Sequence, residues 1–307
     1  MVSTTLKITL SNPSGKITEQ VQVPIKSTVQ DLKKVIKTDC KRLKLATCRQ
    51  KLSLPQGQQV KDRNQKSLVL EDERSLISYG VKDGSVIILK DLGPQISWRT
   101  VFFLEYLGPL LIHQAYLIHS VYFAKKELGL VQLLGYAMVT FHFLKREYET
   151  IMVHRFSHST MPLNNLFKNS AHYWILSGFG IGHFLYSSSF QSSQSISMIY
   201  GCVIIFIVAE LANFRTHLIL RDLRPSGSTT RAVPRGFGFN LLSCPNYFFE
   251  MLAWCSFSLM TGLPSAWFFT VVASGQMWLW AVKKHERYLK EFPDYPKNRK
   301  PMIPFLC

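Results

Sequence analysis

Two polar residues near the end of an apolar stretch have side chains suited to proton transfer. Lys145 and Glu149 are four residues apart in "LKREYETIMVHRFSH", so they share one face of a predicted helix. Lysine before glutamate is the weaker orientation for an ion pair at this spacing, so helix stabilisation alone explains the pair poorly. A solvated face at a membrane surface remains the alternative. The pair is therefore a candidate for catalysis.

A third candidate, Tyr247, lies in "SCPNYFFE", where Pro245 suits the first position of a helix. Asn246 and Glu250 fall in the same opening turn, where the positive end of the helix dipole attracts anions. The phenol of Tyr247 can act as a general acid once a neighbouring cation or amide orients it. The alternative is an interfacial tyrosine, which is common at that depth.

A polar stripe runs along one face of another predicted helix. Asn213, His217, Arg221 and Arg224 stand at positions i, i+4, i+8 and i+11. An amide, an imidazole and two guanidinium groups suit a cofactor that carries phosphates and a ribose, because arginine binds phosphate oxygens with two hydrogen bonds. A helix end with snorkelling arginines is the alternative.

The sequence contains no convincing metal site. The six cysteines show no CxxC spacing, and no cysteine and histidine pattern would hold zinc. His154 and His158 are four apart, but they lack an intervening glutamate and a third ligand. We therefore predict that no metal is bound.

Six apolar stretches are expected to position these residues in a helical membrane bundle. They lie at about 100–123, 129–145, 170–186, 196–220, 246–261 and 264–282, and most approach the length that crosses the hydrocarbon core. The loops between them alternate between basic and uncharged, which places the basic loops and both termini in the cytosol. "TGLP" between the last two stretches predicts a tight helical hairpin.

Residues 1–92 predict a separate α/β domain, and residues 93–307 the membrane domain. Alternating apolar residues predict strands around Leu6–Leu10 and Val21–Val23, and Thr28 is placed to cap a helix. Further strands are predicted at 51–54, 68–70 and 85–89, with a turn at 75–79. The order resembles the β-grasp of ubiquitin-like domains, with a role in binding or in steadying the bundle.

The net charge of the 307-residue chain is +17, and its mean hydropathy of +0.07 averages two unlike parts. Basic residues outside the first domain cluster beside the apolar stretches, not on an aromatic-rich soluble face. Membrane topology and polyanionic ligands account for this charge, so we do not expect a nucleic-acid partner.

The C-terminal two-thirds resembles the steroid 5-alpha-reductase superfamily. The strings "NFRTHLILRDLRPSGS", "SCPNYFFE" and "HERYLKEFPDYPKNRKPMIPF" occur in the family order. The ubiquitin-like start and "VHRFSHSTMP" are similar to the very-long-chain trans-2-enoyl-CoA reductase branch. The resemblance implies a mainly α six-helix (or seven-helix) polytopic bundle that reduces trans-2-enoyl-CoA with NADPH, the last step of fatty-acid elongation.

The resemblance also implies site roles. Catalytic positions are matched by Tyr247, Lys145 and Glu149, with Tyr247 as the proton donor or, with roles exchanged, Lys145. Cofactor positions are matched by Asn213, Arg221, Arg224, Asn246, Tyr288, Tyr295 and Arg299, and His217 is also assigned to the cofactor. His217 stands where steroid reductases tend to have aspartate. Substrate positions are assigned to Glu105 and Glu250.

Three candidate functions are compatible with these sequence features. The first is the enoyl-CoA reductase, a multi-pass protein of the endoplasmic reticulum membrane that supports sphingolipid synthesis and neighbours an elongase, a ketoacyl-CoA reductase and a dehydratase. The second is a steroid or polyprenol double-bond reductase with the same cofactor. The third is a non-enzymatic membrane adaptor or transporter, which is disfavoured because the two halves show no repeated pattern of interrupted helices.

Overall fold

The computed structural model describes residues 4–40, 43–55, 68–156, 159–223 and 232–306. The chain divides into two compact units. The first comprises Met1–Ser97 with Ser159–Leu163, and the second comprises Trp98–His158 with Asn164–Cys307.

The first unit contains a four-stranded mixed sheet and one long helix. The strands are β1 (Thr5–Ser11), β2 (Ile17–Pro24), β3 (Gln50–Ser53) and β4 (Val86–Asp91), in the spatial order β2-β1-β4-β3. β1 pairs antiparallel with β2 and parallel with β4, and β3 pairs antiparallel with β4. The strand predicted at 68–70 is reduced to an isolated bridge between Ser53 and Val69.

Helix α1 (Val29–Asp39) follows β2 and buries Val29, Leu32 and Ile36 in the core of this unit. Thr28 caps it as predicted: its hydroxyl accepts from the amide of Asp31, and the Asp31 carboxylate accepts from the amide of Thr28 at 3.1 Å. This reciprocal pair satisfies two amide groups that the helix itself cannot.

We expect Thr28→Ala to destabilise α1 by about 1 kcal/mol, because the cap hydrogen bond is lost while the apolar face is kept. Amide hydrogen exchange in the full-length protein measures this directly. In Thr28→Ala, the backbone amides of Val29–Asp39 should exchange faster than in the wild-type protein. An exposed substitution on the same helix, Lys37→Ala, is the control, and equal acceleration in both variants would contradict the assignment.

A second, two-stranded sheet joins distant parts of the chain. β5 (Gln95–Ser97) pairs antiparallel with β6 (Thr160–Pro162). Three residues per strand are too few for an alternating pattern to be recognised, so the sequence did not predict this pairing.

Among its described residues, the second unit has six helical segments, and each predicted apolar stretch falls largely within one of them. Five segments are single helices: α2 (Trp98–Ile118), α3 (Leu130–Tyr148), α6 (Ile196–Asp222), α7 (Pro245–Thr261) and α8 (Pro264–Glu291). The remaining segment consists of two short helices, α4 (Asn164–Ala171) and α5 (Ile181–Leu185), joined by the π-helical segment His172–Gly180. Further π-helical turns extend α2 through His119–Phe123 and α3 through Glu149–Val153. Such turns occur often at functional sites.

The hairpin of α7 and α8 follows the prediction from "TGLP". Pro245 and Pro264 each open a helix, and Gly262 ends α7 in the left-handed conformation at φ 66°. Glycine adopts that conformation without the steric cost that other residues incur.

Two helical segments among the described residues, Trp98–Phe123 and Ile196–Asp222, are long and apolar enough to cross a membrane by length and composition. The other predicted spans are shorter or carry more polar side chains; α7, for example, has 17 residues. Large apolar side chains of α6 are nevertheless exposed, including Ile204, Val208 and Leu211. Exposed apolar surface of this kind is typical of a protein that associates with a membrane.

Candidate active site

A cavity of about 780 Å³ opens inside the second unit, between α2, the α3 extension, α4, α6, α7 and α8. Seven predicted site residues line it: Glu105, His217, Arg221, Asn246, Tyr247, Glu250 and Tyr288. Arg224 lies outside the described residues, so its position is not assigned.

Basic and aromatic side chains share the cavity wall. Its cationic side chains, besides Arg221, are Arg146, Arg155, Lys168, Lys284 and Arg287. Its aromatic side chains include Phe102, Tyr106, Tyr173, Trp254 and Phe269. Such a lining can contact both the anionic and the apolar groups of a ligand.

Tyr247 lies in the first turn of α7, as the sequence predicted. The Tyr247 ring contacts Trp280 at 6.4 Å between centroids, and its phenol lies in the electrostatic field of Lys284 and Arg146. Lys284 and Arg146 therefore provide positive charge near this phenol.

Lys145 is not among the residues that line this cavity. Its ammonium group contacts the Glu210 carboxylate at 2.7 Å and the Asn213 side-chain oxygen at 2.5 Å, while Glu149 is 3.4 Å away. Helix α6 packs beside α3 and brings Glu210 closer to Lys145 than Glu149 is. Lys145 therefore contacts both Glu149, which follows α3, and Glu210 on α6.

Glu149 is fully buried and holds a different set of groups. One carboxylate oxygen lies 2.5 Å from the Arg146 guanidinium and 3.0 Å from His217 Nδ1. Arg146 also donates to the Tyr106 hydroxyl at 2.7 Å. Arg146 lines the cavity and Glu149 does not, so Glu149 positions the Arg146 guanidinium from the protein interior.

Asn213 connects this network to α7. Its side-chain amide donates to the Asn246 carbonyl at 2.8 Å and to the Glu250 carboxylate at 3.1 Å. Asn213 is buried and absent from the residues that line the cavity. Asn213 therefore links Lys145 to Glu250, because its side chain accepts a hydrogen bond from the first and donates one to the second.

His142 extends the network, although the sequence analysis did not single it out. Its two ring nitrogens face two carboxylates, Glu210 at 2.7 Å and Glu250 at 3.4 Å. A glutamate at position 210 inside an apolar helix was a signal available in the sequence, because buried ionisable residues in such segments require partners.

Glu149, His154 and His217 approach one another closely, with candidate ligand atoms within 4.8 Å. Their spacing resembles a metal site, but the Glu149 oxygen that faces His217 also accepts from the Arg146 guanidinium. A cation at that oxygen would meet the guanidinium charge. Burial lowers the pKa of His154 to about 2, so its imidazole is neutral. We assign the three residues to a hydrogen-bonded network.

Tyr295 and Arg299 belong to the C-terminal segment and do not line the cavity. The Tyr295 hydroxyl lies 2.6 Å from Ser243 Oγ, which is also 2.6 Å from His285 Nδ1. Arg299 donates to the Pro234 carbonyl at 2.9 Å and stacks over Tyr295 at 5.0 Å. Tyr295 also stacks on Tyr288, which does line the cavity. Both residues thus hold Tyr288 in place.

Some polar atoms on lining residues are buried without a partner. Four such atoms have no hydrogen-bond partner among the described residues: Glu105 Oε2, Arg146 Nε, His154 Nδ1 and Asn246 Oδ1. Buried polar groups without partners are rare. Others, such as His142 Nε2 and Glu210 Oε2, belong to residues that do not line the cavity, so this feature is not special to its wall.

The second unit is a helical bundle with an internal cavity lined by basic, acidic and aromatic side chains. The family described as 3-oxo-5-alpha-steroid 4-dehydrogenase matches residues 159–307. The chain is 51% identical over 238 residues to a Schizosaccharomyces pombe protein named as an enoyl reductase, covering 75% of this chain and 79% of that one.

More distant relatives carry more specific names. The very-long-chain enoyl-CoA reductase of Dictyostelium discoideum is 41% identical over 286 residues, which cover 91% of this chain and 92% of that protein. The human trans-2,3-enoyl-CoA reductase-like protein is 32% identical over 251 residues, with 77% and 68% covered. The chain therefore belongs to the very-long-chain enoyl-CoA reductase family.

Proposed function

We propose that the protein reduces the double bond of a trans-2-enoyl-CoA to give the saturated acyl-CoA, with NADPH as the reductant. The cavity supports this proposal most directly, because the phenol of Tyr247, the cations of Lys284 and Arg146 and several aromatic side chains line it together. Membership of the enoyl-CoA reductase family supports the same chemistry.

The cavity residues fit a dinucleotide cofactor. Arg155, Arg221, Lys284 and Arg287 can pair with phosphate groups, because arginine and lysine provide charge-assisted hydrogen bonds. Asn246 lines the cavity, and a side-chain amide can form hydrogen bonds with a carboxamide. When bound, NADPH supplies the hydride that adds to the β-carbon of the enoyl group.

The residues of this chain then manage charge and the proton. The Arg146 guanidinium group lies at the cavity wall and can donate to the thioester oxygen, on which negative charge builds. Tyr247 gives its phenolic proton to the α-carbon, so that one hydride and one proton saturate the double bond. Lys284 and Arg146 stabilise the phenolate until solvent returns the proton.

Several finer assignments belong to the same proposal. The first unit is a ubiquitin-like β-grasp domain, supported by its mixed sheet and single long helix. The bundle crosses the endoplasmic reticulum membrane several times with cytosolic termini, supported by the two apolar helices and the basic loops. Its product serves very-long-chain elongation and sphingolipid synthesis, together with an elongase, a ketoacyl-CoA reductase and a dehydratase.

A second candidate is reduction of a steroid double bond, because the matching family is described by that activity. Oxidation of NADPH by the purified protein separates the two. We expect rapid oxidation with trans-2-hexadecenoyl-CoA and none above background with a 4-ene-3-oxosteroid. The reverse preference would assign the protein to the steroid branch, and NADH in place of NADPH controls for cofactor choice.

A further inference from the structure

Gly275 lies in the middle of α8 without a packing reason. Glycine in a helix interior costs about 1 kcal/mol relative to alanine. Close packing explains other helical glycines: an added Cβ would lie 1.8 Å from Trp174 at Gly108 and 2.7 Å from Tyr116 at Gly182. At Gly275 an added Cβ would meet no heavy atom within 4 Å. Helix packing therefore does not require a glycine there.

The open space at Gly275 belongs to the cavity. Gly275 lines it together with Val272 and Leu279, three residues before and four residues after on the same helix face. Val272, Gly275 and Leu279 are all exposed although they line the cavity. This part of the wall is thus apolar, and its exposure indicates that the cavity opens along α8.

The size of the cavity makes such an exit necessary. Sites of roughly 300–1,000 Å³ enclose one drug-sized ligand, and the cavity measures about 780 Å³. Its basic residues fit the dinucleotide of the proposed function, which takes up much of that space. A long acyl chain then has to leave the cavity, and an apolar opening is the favourable route.

We propose that the acyl chain of the substrate passes across Gly275, between Val272 and Leu279, and that the missing side chain at this position admits long chains. The proposal rests on the proposed reduction of enoyl-CoA. It assigns Gly275 as a residue that determines substrate chain length.

Gly275→Leu tests the proposal, with Gly201→Leu as the matched control. Gly201 lies inside α6, an added Cβ there would also meet no heavy atom within 4 Å, and Gly201 is absent from the residues that line the cavity. Both substitutions therefore increase helix propensity by the same amount. Only Gly275→Leu places a side chain at the proposed opening of the cavity.

The measured quantity is the ratio of kcat/KM for trans-2-hexadecenoyl-CoA to that for trans-2-butenoyl-CoA. Gly275→Leu should lower this ratio by about tenfold or more, a size typical of steric discrimination in an apolar pocket. Gly201→Leu should leave the ratio at the wild-type value. Gly275→Ala should lower it less, and this smaller variant replaces the leucine if thermal melting shows that the larger one does not fold.

The outcomes separate this proposal from the proposed function. An unchanged ratio in Gly275→Leu, or an equal loss with both substrates, would overturn the route across Gly275 while enoyl-CoA reduction stands. Failure of the wild-type protein to reduce either enoyl-CoA would overturn the function itself.

Discussion

Replacing Tyr247 with phenylalanine should lower kcat for enoyl-CoA reduction by roughly 10²–10⁴-fold, the usual contribution of a general acid. The substitution removes one hydroxyl and keeps the ring that contacts Trp280. Binding of NADPH should therefore persist. Single-turnover kinetics with fluorescence titration of the cofactor measure both quantities.

The control for this prediction is Lys145→Met, because the sequence alone left the proton donor open between Tyr247 and Lys145. Lys145 pairs with Glu210 and Asn213 and is absent from the residues that line the cavity, so its loss should reduce thermal stability. A Tyr247→Phe protein with normal turnover, beside a stable and inactive Lys145→Met protein, would reverse the assignment.

The second large effect concerns Glu149. Removing one partner of a buried ion pair costs about 3–5 kcal/mol, because the remaining charge is left uncompensated. Glu149 is fully buried against Arg146, so Glu149→Leu should lower the melting temperature strongly. Thermal melting in detergent measures the loss.

The double substitution Arg146→Met with Glu149→Leu separates stability from function. A buried pair replaced by apolar residues of similar volume is often as stable as the original, so the double variant should recover most of the loss. Its enoyl-CoA reduction should stay low, since the cation at the cavity wall is gone. Normal activity in a stable double variant would show that Arg146 has no role in turnover, and normal stability in Glu149→Leu would contradict the buried pairing.

Local signals predicted much of the fold. Thr28 with Asp31, Pro245, Gly262 and Pro264 each act through the conformation of a few neighbouring residues, so their effects are readable from sequence. The β5 and β6 pairing joins residues more than sixty positions apart through three residues per strand. Such a contact depends on how the chain returns, which local patterns do not contain.

In the candidate site, too, local signals predicted some positions, whereas contacts between helices could not be predicted. The sequence placed Tyr247 and Asn246 correctly in the first turn of α7, and both line the cavity. It paired Lys145 with Glu149 because both lie on one helix, whereas Glu210 from α6 makes the shorter contact. Which of two carboxylates is nearer depends on the packing of α3 against α6, and that information is tertiary.

Reduction of trans-2-hexadecenoyl-CoA by NADPH in deuterated water, with mass analysis of the product, tests both the reaction and the role of Tyr247 as its proton donor. We expect a saturated acyl-CoA with one deuterium at the α-carbon, delivered through Tyr247, and almost no product from Tyr247→Phe. An absence of saturated product from the wild-type protein would overturn the proposed reaction, and undiminished deuterium transfer in the phenylalanine variant would overturn the role of Tyr247.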